Sequence, residues 1–358
     1  MNSGRVNAQF WEGKRVLVTG HTGFKGSWLT FWLTNMGANV LGYALPPQTT
    51  PSLFEVMGLK EVCQHIEGDI RNKDQLKEAI SSFKPEIIFH MAAQALVLTS
   101  YDNPTLTYET NVIGTLNLFE AVRGLTSLKT LINITTDKVY DNKEWSWGYR
   151  ELDALGGYDP YSSSKACSEI LTSSYRRSFF KDENVRILTC RAGNVFGGGD
   201  WSDNRLIPDA MRAFSSNKIL EIRNPFAVRP WQHVLEPLRA YLILAEKSHH
   251  SILSAFAYNI GPGDDDAVPV SELAATMTEL WGGAASWAAP VNAQPGPHEA
   301  KYLKLDCSQA RAELNWRPII PLKSGLELTV RWYKSYYQNR DATILKQIMR
   351  EQIANSVE

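Results

Sequence analysis

Two short stretches of this chain carry side chains whose types and spacing can move protons. In YSSSK, Tyr161 and Lys165 stand four residues apart, so on a helix they share one face about one turn from each other. A tyrosine with its ordinary pKa of about 10 is a poor base at neutral pH. An ammonium beside it favours the phenolate. One unit charge at about 4 Å contributes about 4 kcal/mol at an effective dielectric of about 20, the order needed to lower the pKa by about 3 units. The expected chemistry is proton removal from an alcohol. In ITTDKVYD, Thr136, Asp137 and Lys138 follow one another at the end of an apolar run. A hydroxyl, a carboxyl and an amine side by side there can orient or transfer protons. Each motif alone is more often ordinary structure, a packed tyrosine with a solvated lysine or a solvated turn. Their order along the chain is what gives them weight.

A third stretch, TGHTGFKGSWL, spaces Gly20, Gly23 and Gly26 by three between the apolar run RVLVTG and an apolar helical segment. A strand, a glycine turn and a helix start make an anion site, because free backbone N–H groups and the positive end of the helix dipole point the same way. Gly20 is expected to allow the tight turn, Gly23 the approach of a pyrophosphate, and Gly26 the close packing of helix on strand. An isolated pattern of this kind is as often a turn with no ligand, but this one follows the first strand of a repeating series.

The elements that must position these residues read as alternating strands and helices. RVLVTG, NVLGYA, VCQHIEGD, EIIFHMAA, KTLINITT and VRILTCRAGN are short apolar runs, suited to strands buried on both faces of a parallel sheet. The longer segments between them suit right-handed crossover helices. The fold class expected is α/β, a doubly wound parallel sheet of Rossmann type with a smaller substrate-binding α/β domain. Residues 1–190 and about 232–262 are assigned to the first domain, about 191–231 and 263–358 to the second. After Asn194, the Gly, Pro, Trp and Asp crowding of FGGGDWSDNRLIPD, RNPFAVRPWQHV and NIGPGDDDAVPV suits loops that cover a ligand at the carboxyl ends of strands. Residues 1–11 and roughly 340–358 read as peripheral tails.

The 358 residues carry 37 basic and 38 acidic side chains, a net charge of −1, which gives no broad attraction to nucleic acid or to an anionic membrane. Cys63, Cys167, Cys190 and Cys307 lack the spacing of a metal site or disulfide framework and are expected to be reduced core thiols. No bound metal is expected. No signal-like opening and no membrane-length apolar run is read, so a cytoplasmic location is expected.

The glycine spacing GxxGxxG resembles the short-chain dehydrogenase/reductase superfamily, and the resemblance continues along the chain. GDI resembles its adenine contact, at Asp69 and Ile70. HMAAQ resembles its fourth-strand turn, at Ala92, Ala93 and Gln94, and Asn111 stands where that superfamily has a helix asparagine. The resemblance implies a cofactor site of Gly20, Thr22, Gly23, Phe24, Lys25, Gly26, Asp69, Ile70, Ala92, Ala93, Gln94, Asn111, Tyr161 and Lys165. Thr136 followed by Asp137 resembles the nucleotide-sugar 4,6-dehydratases, where the added acid protonates a departing hydroxyl. Many of those have Asp-Glu where this chain has Asp137-Lys138, so the base at sugar C5 is Lys138 or a water.

GHTGFKGSWL, RAGNVFGGGDWSDNRLIPD and VRPWQHVLEPL closely resemble the CDP-glucose 4,6-dehydratases, over nearly the whole chain. That resemblance implies NAD as cofactor, CDP-glucose as substrate, and a role in making the dideoxysugars of bacterial surface polysaccharide. It implies catalysis by Thr136, Asp137, Lys138, Tyr161 and Lys165. It also implies substrate binding by Thr136, Asn194, Arg205, Arg229 and His298. Guanidinium forks suit diphosphate oxygens, although any one arginine is more often a surface ion-pair partner. NAD itself comes from the resemblance, since LGYALPP offers neither a carboxylate for a ribose 2′-hydroxyl nor an arginine for a 2′-phosphate. A homodimer, or a dimer of dimers, is expected through the helices around Thr107–Arg123 and Tyr161–Arg177. The alternatives are a nucleotide-sugar 4-epimerase, against which Asp137 argues, and a dinucleotide-binding regulator, against which the intact Thr136, Tyr161 and Lys165 argue.

Overall fold

The computed structural model describes residues 4–181, 185–250, 253–263, 266–289 and 302–357. Six strands arise from the apolar runs noted above: β1 (Arg15–Thr19), β2 (Asn39–Ala44), β3 (Gln64–Glu67), β4 (Ile87–His90), β5 (Thr130–Thr136) and β6 (Arg186–Ala192). After β7 (Asn194–Phe196), β8 (Leu220–Glu221) and β9 (Val228–His233) comes β10 (Ala257–Ile260), followed by β11 (Ala267–Pro269) and β12 (Trp287–Ala288). The main sheet has seven strands in the order β10-β6-β5-β4-β1-β2-β3, parallel throughout. Strand order reverses between β1 and β4, the position at which open α/β sheets bind ligands beyond the carboxyl ends of the strands.

Alternation along each strand feeds two separate cores. Val16, Val18, Ile87, Phe89, Ile132 and Ile134 pack in one core, whereas Leu17, Leu41, Ile88 and Leu131 pack in the other. Both faces are covered, which is why these strands read as nearly unbroken apolar runs. The helix Phe24–Asn35, which follows the glycine turn, is buried on every side from Gly26 through Leu33, as suits a mostly apolar helix inside the molecule.

The second part of the chain adds a small sheet in the order β11-β9-β7 and the pair β12-β8. Several expectations change here. Residues 340–357 are no tail: the helix Ala342–Ala354 buries Leu345, Ile348, Met349 and Ile353, one apolar stripe at helical spacing. The opposite terminus is also tied down, with Trp11 buried and its Nε1 donating to Glu246 at 2.7 Å. Val6 and Val357 form a bridge. The glycines of FGGGDW, read as a loop over a ligand, are required by protein packing. A Cβ on Gly197 would lie 2.7 Å from Val234, on Gly198 2.3 Å from the Trp332 ring, and on Gly199 2.5 Å from Leu53. Of the thiols, Cys190 and Cys307 are buried, but Cys167 is exposed on its helix.

Candidate active site

The site forms where β5 ends. Thr136 is the last extended residue, and its hydroxyl caps the short turn Asp137–Val139 by accepting from Lys138 N at 3.4 Å. That turn folds the Asp137 carboxyl inward, where it is 3% exposed and receives the Thr136 hydroxyl at 3.0 Å. Burial raises the Asp137 pKa above the usual carboxylate range, against the opposing effects of Lys138, the Thr136 hydrogen bond and Arg229. A carboxyl with a raised pKa is suited to give a proton near neutral pH. Lys138 is half-buried beside it.

The helix Pro160–Phe179 brings Tyr161 and Lys165 to the same place. Asp159 caps it by accepting from Ser162 N at 2.9 Å, and Pro160 occupies the first turn, where a missing N–H costs nothing. The half-buried Tyr161 phenol hydrogen-bonds with Thr136. Lys165 is buried, and its Nζ donates to the Ile134 carbonyl on β5 at 3.1 Å. One expectation is reversed here. The Tyr161 phenol is pushed up to about 12, by burial first and by Asp137 and Asp159, while the Thr136 hydrogen bond and the Arg205 guanidinium oppose. Lys165 is lowered to about 7, by burial first and then by Lys25, with Glu169 opposing. Desolvation outweighs the pairwise attraction on which the sequence argument rested.

The glycine turn separates into three roles. Gly20 has φ +75°, and a Cβ there would meet Ala92 N at 2.7 Å; on Gly26 it would lie 2.2 Å from the Gly20 carbonyl. Both are demanded by the protein itself. Gly23 is exposed, with the Gly20 carbonyl 3.4 Å from its would-be Cβ, and it starts the helix with no side-chain cap. Its neighbourhood is the one left clear for an anionic guest, so the turn fits a dinucleotide pyrophosphate. The Thr22 hydroxyl is spent on the Leu45 carbonyl, at 2.8 Å. Phe24 and Lys25 are half-buried. Lys25 is lowered to about 8, by burial first and then by Arg205, with Cys190 and Asp137 opposing.

Across the sheet, Ala92 and Ala93 line the half-open turn after β4. The Gln94 side chain is engaged with Leu96 and Thr107. Asn111 accepts from Gln94 N at 2.9 Å and donates to the Gln94 carbonyl at 3.0 Å and to Ser164 Oγ at 2.9 Å. It thereby ties the β4 turn to the helix of Tyr161. Asn111 sits in a π-helical turn, Glu109–Ile113, a local widening common at functional sites. His90, the last residue of β4 and given no role above, bridges Thr19 at 2.8 Å and Thr115 at 3.0 Å. At the end of β3, Arg71 clamps the Asp69 carboxylate, with Nη2 to Oδ2 at 2.6 Å. Ile70 is buried against Gly114.

The residues expected at the substrate divide. Arg205 donates to the buried Asp200 at 2.9 Å and lies close enough to Tyr161 to act on its phenol. Arg229, half-buried on β9, acts on Asp137. Asn194 is half-buried on β7, paired with Trp231. His298 lies outside the described residues. Gly193 was missed, although it stands in the quoted RAGN: a Cβ there would lie 2.9 Å from Asp137 Oδ2.

One protein family matches residues 17–329, from β1 into the helix Leu322–Asn339. The chain belongs to the GDP-mannose 4,6 dehydratase family. Within the reach of that family, the chain is 50% identical over 345 residues to the CDP-glucose 4,6-dehydratase of Salmonella typhimurium, covering 95% of this chain and 96% of that protein. It is 25% identical to the CDP-paratose 2-epimerase of Salmonella typhi, over 90% of this chain and 99% of that one. The fold resembles the dTDP-glucose 4,6-dehydratase of Bacillus anthracis, solved in complex with NAD, with a TM-score of 0.75, 23% identity, and coverage of 90% of this chain and 97% of that one.

Proposed function

We infer that this chain dehydrates CDP-glucose to CDP-4-keto-6-deoxyglucose with NAD as a retained cofactor. The observation that carries the reading is the buried Asp137 carboxyl, kept protonatable beside Thr136 and Tyr161. An epimerase needs no such acid. The half-identical Salmonella protein bears the name of this activity.

NAD, when bound, supplies the acceptor that takes the hydrogen of sugar C4 and the donor that returns it to C6. The residues that would hold it are the Gly20–Gly26 turn, Asp69 and Ile70, Ala92 and Ala93, and the Tyr161 and Lys165 pair. Gln94, Asn111 and Thr22 act through the backbone they brace. Tyr161 takes the proton of the C4 hydroxyl, Thr136 orients that oxygen, and the Lys165 ammonium favours the phenolate. The resulting ketone acidifies the C5 hydrogen, which Lys138 or a water removes. Asp137 protonates the C6 hydroxyl, water leaves, and the group that took the C5 proton returns one to C5 when C6 regains its hydrogen. Arg205, beside Tyr161, and Arg229, beside Asp137, would bind the substrate together with Asn194, from a second domain of about residues 191–231 and 263–358.

The exposed Tyr101, Tyr108, Ile113 and Ile170 support a homodimer through the helical faces that carry them, which sedimentation equilibrium tests. No described helix is long and apolar enough to cross a membrane, in keeping with a cytoplasmic enzyme.

The test of function is turnover of CDP-glucose deuterated at C4. Label recovered at C6 of a keto-deoxy sugar is expected; label retained at C4 of an epimerised sugar overturns the reading.

A further inference from the structure

One turn beyond Lys165, on the same helix, stands a carboxylate to which no step above gives a role. Glu169 and Arg191 form an ion pair at 2.8 Å, with side chains 3% and 5% exposed. Every oxygen of Glu169 is occupied. Oε1 receives the Thr135 hydroxyl at 2.5 Å, and Oε2 receives the Thr189 hydroxyl at 2.9 Å together with Arg191 Nη2. Arg191 extends the network by donating Nη1 to Tyr140 Oη and to the Glu151 carbonyl, both at 2.9 Å. Tyr140 Oη then donates to Asn259 Oδ1 at 2.6 Å, and Asn259 Nδ2 reaches the carbonyls of Tyr149 at 2.8 Å and Asp306 at 3.2 Å.

The network therefore joins the helix of Tyr161 to β5 one residue before Thr136, to β6 two residues before Gly193, to β10, and to the segment that begins at Tyr302. A buried pair of this kind contributes little net stability against an apolar replacement of equal volume, so its value lies in what it positions. Lys165 faces Lys25 from the glycine-turn helix, His90 from β4, Glu169 from its own helix, and the Ile134 carbonyl. Asp137 faces Lys25. Burial and Lys25 both disfavour the Lys165 ammonium, and Glu169 opposes them.

We propose that Glu169, clamped by Arg191, Thr135 and Thr189, is a positioning residue that holds the Tyr161 helix in register with β5 and supplies the carboxylate that keeps Lys165 an ammonium during turnover. This rests on the role given to Lys165 above.

The experiment is the pH profile of kcat/KM for CDP-glucose, measured with saturating NAD on the full chain and on Glu169→Gln, Glu169→Asp and Lys165→Met. An opposite charge favours the charged form, so its removal lowers the Lys165 pKa. The alkaline limb of Glu169→Gln is expected to move to lower pH by about 1 unit. That of Glu169→Asp, with its carboxylate drawn back, is expected to move in the same direction by less. A folded Glu169→Gln with the wild-type limb overturns the proposal. If Glu169→Gln fails to fold, an unmoved limb in Glu169→Asp overturns it equally, whatever that variant's rate. Should Lys165→Met retain full turnover, the reading of the active site falls instead. Loss of turnover in Lys165→Met with unmoved limbs in both Glu169 variants sinks this inference alone.

Discussion

The Asp137 carboxylate rests against the α-carbon of Gly193, where an added Cβ would come within 2.9 Å of Oδ2 and 3.4 Å of Pro230 Cγ. Glycine is needed at this point for space, so the loop after β6 shapes the pocket of the acid. Gly193→Ala is expected to fold but to push Asp137 away from the departing hydroxyl. Dehydration should slow more than C4 oxidation, as read by single-turnover mass spectrometry of the oxidised and dehydrated sugars.

Asp137→Asn tests the same step with the shape kept. An amide still accepts the Thr136 hydroxyl but has no acidic proton to give. General acid catalysis contributes about 10²- to 10⁴-fold, and elimination should fall by that order while C4 oxidation persists. Equal loss of both steps, in the same single-turnover measurement, would show that Asp137 does not act as the acid.

Asn111 spends its whole amide on the protein, bracing the β4 turn against the Tyr161 helix. Asn111→Asp keeps the acceptor for Gln94 N but faces the Gln94 carbonyl with a carboxylate and deprives Ser164 of its donor. A loss of about 1–3 kcal/mol is expected, the cost of a buried group left unsatisfied, measured by urea unfolding without cofactor. Wild-type stability would show that Asn111 braces nothing.

What the sequence disclosed follows from which forces are local. β2 coincides with the run NVLGYA, from Asn39 to Ala44, because a strand covered on both faces leaves its signature in consecutive residues. The meeting of Thr136, Asp137 and Tyr161 was legible for the same reason, since the end of a strand and the start of a helix place them. The π-helical turn at Asn111 was hidden, because one extra residue hardly disturbs a helical pattern. The direction of the Tyr161 shift was hidden too: it is set first by desolvation, which depends on what the whole fold packs around the phenol and not on its helix neighbours. Gly197 to Gly199 misled for a related reason, as nothing local distinguishes a glycine that admits a ligand from one that admits Trp332.

His21, His90 and His233 are each lowered to about 3, chiefly by burial. Their folded pKa values lie below the ordinary value near 6.5, so between these limits the unfolded chain binds more protons and stability falls as pH falls. Each histidine should add about 1.4 kcal/mol of lost stability per pH unit below about pH 6.5. Unfolding free energies from urea titrations between pH 6.5 and 5.5, below the lowered Lys165 and Lys25, should show a slope approaching at least three protons, since His65 is lowered as well. His233 packs between Trp28 and Phe196, with Nε2 unpartnered, and His233→Phe should lower that slope by one. An unchanged slope in His233→Phe would mean that His233 titrates in the folded chain as it does in the unfolded one.

Gly23 and Gly26 look alike in the sequence and should fail in opposite ways. At Gly26 a methyl group would be driven to 2.2 Å from the Gly20 carbonyl, a backbone atom of the turn itself, so Gly26→Ala should destabilise the chain with or without cofactor. At Gly23 the backbone has φ −75°, which alanine adopts freely, and the methyl group would meet the Gly20 carbonyl at 3.4 Å, an ordinary contact. Gly23→Ala should therefore keep or raise the melting temperature of the cofactor-free chain, by the equivalent of up to about 1 kcal/mol from the reduced entropy of the unfolded state. Its NAD affinity should fall at least about tenfold, or about 1.4 kcal/mol, because the methyl group stands where the pyrophosphate must approach the helix amides. Calorimetric titration alongside thermal unfolding separates the two. Unimpaired NAD binding by Gly23→Ala would mean that the dinucleotide does not seat on this turn, whatever the fate of Gly26→Ala.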